Sequence, residues 1–428
     1  MAGRHAGQPR SRKVTLVNTN DMITPMLDGL TVLELDSGGL AEFAGKLLAD
    51  SGADVIKIEP PTGASSRRVG PFLGQDGDRE SGLQFEHYNT SKRSVVLDLE
   101  SEADRAALKA LAAQADIVLD GLGAGVADRL GIGWQALQAS NPGLIYCSIT
   151  PFGVDGPWSG YAASDLTQLA LGGVMASCGY DDLPDDDPIA PIGGHAKHLV
   201  GMMATMATLA AAFEKGVSGN GQFIDVSAHE SIATSTEMAV PFWIYQQRDV
   251  ERHTARHAMP ADTPRWQHLC ADGKYLLALP LYIDDARFAA LVEWFDAEGM
   301  AEDLGDEKYR HSDTRENEMF HVVDVIGRFC AQHDSDYMFR EAQARRLPWA
   351  PVNSPDELLR DEHFTQQRDT FVEVGSSRGT HRYAKPPFLV GNPAQLRPAP
   401  TLGAHTNEVL NALLESEYDE DALAPQRA

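Results

Sequence analysis

The sequence predicts an α/β protein with a Rossmann-like, doubly wound large domain and a smaller α+β domain. Three observations predict this class. Short apolar runs of strand length alternate with helical stretches between residues 31 and 227. The first strand–helix–strand unit fits within about thirty residues, which implies a right-handed crossover and a parallel sheet. After about residue 235 the alternation stops, and polar sequence and then helical stretches follow.

The first strand–helix–strand unit carries the clearest local signals. Residues 31–35 are apolar and β-branched, which predicts a buried strand. Residues 41–51 have helical spacing, and Gly52 stands where a helix C-terminal glycine is expected. Residues 54–59 predict a second strand, which ends at Pro60 and Pro61. The chain therefore opens on one β-α-β unit.

The alternation continues to the end of the predicted large domain. Strands are predicted at 94–99, 116–120, 143–149 and 222–227, with a helix at 102–114. Residues 196–214 form a long, almost entirely apolar helix. A helix that is apolar all round is expected to be buried, so we predict that it is central.

The remaining sequence predicts the domain boundaries. Residues 1–26 are polar without periodicity and are predicted to be a mobile tail. Residues 27–234 form the N-terminal part of the large domain, 245–355 the smaller domain, and 356–428 a segment that returns to the large domain. The smaller domain contains a predicted strand at 275–279 and helices at 284–298, 316–333 and 336–345, and a terminal helix covers 407–417.

Composition excludes several classes of protein. A net charge of −26 argues against nucleic-acid binding, which needs a basic surface. No apolar run approaches the roughly 20 residues that span a bilayer, so no membrane association is expected. The basic, polar start has no hydrophobic stretch after it, and the four cysteines have no metal-ligand spacing. We expect a cytoplasmic protein without a metal site.

Several segments resemble the family III CoA-transferases, the group that includes formyl-CoA and carnitine CoA-transferases and 2-methylacyl-CoA racemases. The most specific are 47–61 with Arg67 or Arg68, and 89–99; weaker ones are 27–35, 127–131, 151–157, 219–222, 385–388 and 402–405. They occur in the family's order from about 27 to 412. The resemblance implies an interlocked dimer that moves CoA between carboxylic acids. CoA and acyl-CoA esters are then substrates, and no cofactor is permanently bound.

The resemblance also implies a CoA site near the carboxyl ends of the large domain's strands. Lys92 and Arg129 match basic residues that bind CoA phosphates, and Ser37, Gly38, Gly39 and Leu40 would lie beside the nucleotide. Cationic side chains and strand-to-helix amides are what phosphates require. The alternative is that Lys92 and Arg129 are ordinary solvated charges near turns. An arginine that often follows the second strand in the family is replaced here by Pro60.

The position of the family's catalytic aspartate is occupied by Lys197. In the family this aspartate lies four residues before a glycine at the start of the long apolar helix, which corresponds here to Gly201. The aspartate attacks the acyl-CoA carbonyl and passes through a mixed anhydride to an aspartyl-CoA thioester. A lysine would instead form a stable amide, and turnover would stop.

Three explanations of Lys197 remain open on the sequence alone. In the first, the chain is a non-catalytic subunit of a heterodimer whose paralogous partner carries the aspartate. In the second, the chain uses another carboxylate, for which Asp165 is the best candidate. In the third, the local alignment is shifted. Asp165 has an alternative role as the N-cap of a helix at 166–175. His195 and His198 are candidate acid–base groups or simple surface residues. A racemase is disfavoured, because that branch pairs a histidine at the position of Ser164 with the aspartate that Lys197 replaces. An isomerase or another acyl-CoA enzyme that uses different residues on the same fold stays an alternative.

Overall fold

The structure, a computed structural model, describes residues 24–36, 38–74, 78, 80–181, 189–191, 193–236, 239–254, 257–279, 283–376, 378–388, 390 and 392–423, and the side chains of these up to residue 415. Most of the predicted N-terminal tail, and Ser37 of the predicted nucleotide loop, lie outside the described residues. The chain divides into two compact units.

The two units do not follow the predicted boundaries. The first contains the described residues up to Thr150, Gly201–Asp225 and the chain from Thr370 onward; the second contains Pro151–Val200 and Val226–Asp369. The prediction placed residues 151–200 with the large domain. They group instead with the segment that follows the sheet, because Leu169, Ala196 and Ile232 share one buried cluster. The main-chain N–H of His229 also donates to the carbonyl of Pro151, at 3.0 Å.

The first unit is built on a six-stranded sheet. Its strands are β1 (Thr31–Asp36), β2 (Asp54–Glu59), β3 (Arg93–Val96), β4 (Ile117–Gly121), β5 (Ile145–Thr150) and β6 (Phe223–Ser227), in the order β3-β2-β1-β4-β5-β6. The pairs β1–β2, β1–β4, β2–β3 and β4–β5 are parallel. Strands β4 and β5 are buried along their whole length, as expected for a parallel sheet covered on both faces. The prediction of an α/β fold with a parallel sheet is confirmed.

Helices surround this sheet, and a C-terminal segment runs along its edge. The helices are α1 (Glu42–Asp50), α2 (Leu83–Tyr88), α3 (Glu102–Gln114), α4 (Val126–Arg129) and α5 (Trp134–Gln138), with a 3₁₀ turn at Ser65–Arg68. Residues from Thr370 onward add a hairpin, whose strands are Phe371–Ser376 and Gly379–Ala384, and a final helix, Thr406–Leu423. The hydroxyl of Thr406 accepts a hydrogen bond from the backbone of Val96, which fixes this segment along β3.

The second unit contains two groups of helices. The first group is α6 (Asp165–Leu171), α7 (Val174–Ser177), α9 (Ala228–Ala233) and α10 (Ala239–Gln246); the second is α11 (Asp285–Ala297), α12 (Ser312–Asn317), α13 (Met319–Cys330), α14 (Ser335–Ala344) and α15 (Pro355–Leu358). A three-stranded antiparallel sheet, Gln267–Leu269, Tyr275–Leu277 and Ala350–Pro351, packs with the second group. Short 3₁₀ turns cover Glu302–Gly305 and Glu307–Arg310, and a π turn covers His363–Gln367.

The long helix α8 (His195–Ser218) is longer than predicted and only partly buried. Ala204, Thr208 and Ala211 form a buried side. An opposite stripe, Met202, Met206, Phe213 and Val217, is exposed, with Phe213 81% and Val217 83% accessible. By length and composition alone, α8 is the one helix of the described chain that is apolar enough to cross a membrane, a test that core helices of soluble proteins also pass. The expectation of a fully central helix is therefore wrong for one face.

Candidate functional site

The carboxyl ends of β1 and β4 form the point where the sheet order changes direction. These two strands are neighbours, yet β1 continues to β2 on one side and β4 to β5 on the other. Ligands of open α/β sheets bind at such a crevice. Asp36 and Gly121 are paired at the ends of the two strands. A Cβ on Gly121 would lie 2.7 Å from the Asp36 carboxylate, so this close approach requires glycine.

The loop after β1 is stabilised by its own aspartate. The backbone N–H groups of Gly38 and Gly39 donate to Oδ1 of Asp36, at 3.2 and 3.0 Å. Leu40 follows, half-buried, before α1 begins. The amides of this predicted nucleotide loop therefore hold the turn in shape, and the loop's place beside a nucleotide stays a prediction.

Arg129, which the sequence predicts to contact a phosphate, lies near the end of β4. It is the last residue of α4, on the connection that follows β4. Its side chain is 61% exposed, and it forms a long ion pair, at 3.5 Å, with Glu100, whose side chain is 71% exposed. Because such surface pairs contribute little stability, the guanidinium can exchange this partner for a ligand at small cost.

Lys92 lies in a different environment from the one predicted. Its side chain is completely buried, and its ammonium lies 2.7 Å from Oε2 of Glu34. The same ammonium donates to the carbonyl of Glu42 and to the side chain of Asn89, both at 2.9 Å. Burial lowers the pKa of Lys92, and the neighbouring Lys57 lowers it further, against the effect of Glu34. All three ammonium donors have partners. The solvated-charge alternative is therefore wrong for Lys92, and its surroundings do not support a phosphate contact.

Lys92 belongs to a buried charge network that the sequence reading missed. The ammonium of Lys57 lies 2.6 Å from Glu34 and 3.2 Å from Glu42, and all three side chains are fully buried. Burial opposes the charge on Lys57, but the carboxylates of Glu34 and Glu42 outweigh it and raise its pKa. Gly45 makes room for the network, since a Cβ there would lie 1.8 Å from a Glu34 oxygen. The network ties β1, β2 and α1 together.

Asp165 caps a helix, but not the helix that the sequence predicted. Helix α6 is capped by Ser164, whose hydroxyl accepts from the N–H of Thr167 at 3.2 Å while its own N–H donates to the Thr167 hydroxyl at 2.8 Å. Oδ1 of Asp165 instead accepts from the N–H groups of Ala196 and Lys197, at 3.0 and 3.3 Å. A carboxylate at a helix N-terminus satisfies donors that lack intrahelical partners and complements the helix dipole. Asp165 therefore fixes the start of α8.

The first turn of α8 contains the three candidate residues around the nucleophile position. His195 is exposed, Lys197 and His198 are half-buried, and the two imidazole rings lie 6.4 Å apart, edge to face. Burial lowers the pKa of His198, and the positive charges of His195 and Lys197 lower it further. Gly201 follows one turn later and packs tightly, since a Cβ there would lie 2.9 Å from Phe43. The positions that align with the family's aspartate and glycine are therefore Lys197, at the start of α8, and Gly201, which packs closely against Phe43.

A match to a family model decides the identity of this arrangement. Residues 27–406 match the model described as CoA-transferase family III. The chain belongs to CoA-transferase family III. The match covers the β1–β4 crevice, the start of α8 and the segment along β3, and it supports CoA transfer as the chemistry of the protein.

Relatives and solved structures agree with this assignment. The chain is 30% identical over 381 residues to the succinyl-CoA:(R)-benzylsuccinate CoA-transferase subunit BbsE of Thauera aromatica, covering 87% of this chain and 91% of that protein. It is 26% identical to the succinyl-CoA–L-malate CoA-transferase beta subunit of Chloroflexus aurantiacus, covering 91% and 94%. The crystal structure of a CAIB/BAIF family protein from Brucella suis matches with a TM-score of 0.77 at 26% identity, covering 91% and 100%.

Proposed function

We propose that this chain is the CoA-binding subunit of a heteromeric CoA-transferase whose paralogous subunit provides the catalytic aspartate. The observation that carries the proposal is Lys197 in the first turn of α8, where the family resemblance expects the nucleophile. An amine at that position forms an amide with an acyl group, and an amide does not pass the acyl group on. The chain therefore contributes binding and structure to a reaction completed by its partner.

The relatives support a heteromer. The relatives from Thauera aromatica and Chloroflexus aurantiacus are both named as subunits of CoA-transferases. A transferase built from two paralogous chains needs only one of them to carry the aspartate. The other chain is then free to change at that position, as this chain has done.

A second candidate function is a transferase that uses Asp165 as its own nucleophile. Asp165 lies beside the nucleophile position, since its carboxylate accepts the N–H of Lys197. However, a carboxylate that accepts two amide hydrogen bonds is stabilised as an anion and is a weaker nucleophile. Its attack on a thioester would also uncap α8. The cap is therefore the better account of Asp165.

Two substitutions of Asp165 separate these roles. Asp165→Ala is expected to lower the free energy of unfolding by about 0.5–2 kcal/mol, whereas Asp165→Asn changes it by a few tenths, because asparagine caps as well as aspartate. Activity of the assembled enzyme is expected to survive in the Asn variant. Denaturant unfolding and a CoA-transfer assay measure both effects. Loss of activity in the Asn variant with unchanged stability would favour the nucleophile instead.

We assign CoA binding to the β1–β4 crevice of the first unit. The strand order is the one common to dinucleotide-binding, Rossmann-like sheets, and their ligands lie at this switch point. The chain's net charge of −26 repels a polyanion such as CoA, so a local cation is required. Arg129 supplies it, on the connection that leaves β4. CoA and its acyl esters are substrates in this assignment, not resident cofactors.

Charge reversal of Arg129 tests the CoA site. Arg129→Glu is expected to weaken CoA binding by at least about tenfold, since a charge-assisted hydrogen bond contributes about 1.5–3 kcal/mol. Calorimetric titration of the purified chain with CoA measures the effect. Arg340→Glu is the matched control, because Arg340 is 75% exposed and also forms a surface ion pair, with Asp336. Equal CoA affinity in the two variants would remove Arg129 from the site.

The exposed stripe of α8 supports an intimate subunit interface. Met202, Met206, Phe213 and Val217 present an apolar face four turns long to solvent in the isolated chain. An exposed patch of this kind on a single chain marks a contact surface. It agrees with the interlocked dimer that the family resemblance implies, here formed with the paralogous subunit.

We place the complex in the cytoplasm, where the chain's four cysteines remain free thiols.

A further inference from the structure

A small cavity lies along β3, in the first unit. It has a volume of about 330 Å³ and is lined by Lys92, Ser376, Arg378, Arg397, Pro398, Ala399, Pro400, Thr401 and His405. Four of these residues are basic, and no carboxylate is among the described lining residues. This composition is unusual for a chain with 62 acidic residues and only 36 lysines and arginines. The cavity wall therefore offers basic side chains as donors, of which Lys92 and Arg378 are themselves ion-paired with Glu34 and with Glu80 and Glu86.

Arg378 has an unused donor in the cavity wall. Its terminal nitrogens have partners: Nη1 lies 3.3 Å from Glu80, and Nη2 donates to the carbonyl of Ala399 at 3.0 Å and pairs with Glu86. Its Nε is buried and has no hydrogen-bond partner among the described residues. A buried donor without an acceptor costs free energy, so an acceptor from a ligand is favoured at this point.

Arg397 adds a guanidinium on a fixed backbone. Its N–H donates to the hydroxyl of Ser91 at 3.1 Å, and its carbonyl accepts from the N–H of Ser91 at 2.9 Å. One guanidinium nitrogen, Nη2, donates to the carbonyl of Ser91 at 2.7 Å. The residue is exposed, and among the described residues no carboxylate lies within ion-pair distance of it. Its charge is therefore held in place without a neutralising partner.

His405 supplies a third donor. The N–H of Ser94 donates to its Nδ1 at 3.2 Å, so the proton of the neutral ring lies on Nε2. The backbone N–H of His405 donates to the carbonyl of Ser94 at 3.0 Å, which anchors the residue to the edge strand. Burial lowers the pKa of His405, which favours this neutral, donating form. The ammonium of Lys92, whose three donors already have partners, adds only its charge.

We propose that this cavity is a phosphate-binding site. Three donors from separate segments, Arg378, Arg397 and His405, line one small space, and a phosphate group accepts several hydrogen bonds and carries up to two negative charges. Arginine is suited to this contact because its planar guanidinium matches the geometry of phosphate oxygens. The site lies at edge strand β3, whereas the β1–β4 crevice lies further into the sheet beyond β2. The ligand is inorganic phosphate or a phosphomonoester.

Calorimetric titration of the full chain with inorganic phosphate, in a buffer without phosphate, tests the site. Saturable binding of one phosphate per chain is expected, and Arg397→Gln is expected to weaken it by about tenfold or more, the loss of one charge-assisted contact. Arg397 is exposed, so the variant should fold, which circular dichroism checks. Arg382→Gln is the matched control, since Arg382 is an exposed arginine of the hairpin that precedes Arg397 in the chain, paired with Glu373 and outside the cavity. Absence of saturable binding, or equal affinity in both variants, would overturn the proposal.

A second titration identifies the source of the phosphate. CoA is titrated with and without saturating inorganic phosphate. If inorganic phosphate competes with CoA, and the competition is lost in Arg397→Gln, the site binds a phosphate of CoA. If phosphate leaves the CoA affinity unchanged, the site binds a free phosphate. The cavity is a phosphate site in both cases. Phosphate binding needs neither the partner subunit nor acyl transfer. A failure of this site is thus distinguishable from a failure of the proposed function.

Discussion

Replacing Arg67 by methionine is expected to lower the free energy of unfolding by about 3–5 kcal/mol, the cost of leaving a buried charge without its partner. Arg67 is completely buried, and its Nε and Nη2 bind the two carboxylate oxygens of Glu59 at 2.7 and 2.8 Å. Nη2 also donates to the carbonyl of Pro400, and the guanidinium lies 3.6 Å from the centre of the Phe85 ring. Methionine retains much of the volume but leaves the buried Glu59 without its ion-pair partner.

The neighbouring arginine is the control for this experiment. Arg68 is exposed, and its guanidinium donates to the carbonyl of Thr62 at 3.1 Å. Arg68→Met is expected to change the free energy of unfolding by less than about 0.5 kcal/mol. Urea denaturation of the two variants gives the comparison. Similar losses in both would mean that the buried pair does not stabilise the unit.

The loss of unfolding free energy in Arg67→Met is expected to depend on pH in a definite direction. Burial opposes the charge on Glu59, but its hydrogen bonds and ion pair with Arg67 outweigh burial and lower its pKa. A lowered folded-state pKa gives stability that is complete above the unfolded value, about 4.3, and that is lost as the pH falls through the folded value. The difference in free energy of unfolding between wild type and Arg67→Met is therefore expected to become smaller below about pH 4.

The purified chain is expected to show no CoA transfer by itself, and to gain it when mixed with a paralogous subunit that carries the aspartate. The expected difference is at least about 10³-fold, the scale of losing a covalent nucleophile. Within the complex, Lys197→Ala should retain activity, whereas an Asn at the partner's aspartate should abolish activity.

Light scattering should show the two chains in one complex, and Phe213→Glu should weaken that complex. Full turnover by the isolated chain would contradict the heteromer.

The sequence predicted the elements of the sheet because their signals are local. The apolar runs at 31–35 and 54–59 correspond to β1 and β2, and Gly52 does follow α1 with a positive φ of 108°. The placement of 151–200 was missed because it depends on packing against α9, which no local pattern encodes. Ser164 could have been predicted as the cap of α6. A serine followed three residues later by a side chain that accepts a hydrogen bond from the serine N–H is a capping-box pattern.

The site residues were harder to predict because their partners are distant in the chain. Lys92 follows a turn in sequence, yet it is buried by Glu34 and Glu42 from β1 and α1. The signal for burial was Lys57, a charged residue between two isoleucines inside β2, which requires a carboxylate partner nearby. Arg378, Arg397 and His405 were not predicted as a group. Only the fold of the C-terminal segment along β3 brings them into one cavity.

On the proposed function, this chain does not form the covalent intermediate of its family. Intact-mass measurement of both subunits, after incubation of the complex with an acyl-CoA and rapid quenching, tests it most directly. We expect a CoA thioester on the partner chain and an unchanged mass for this chain. A CoA adduct on this chain, mapped to Asp165 or to any other carboxylate, would contradict it.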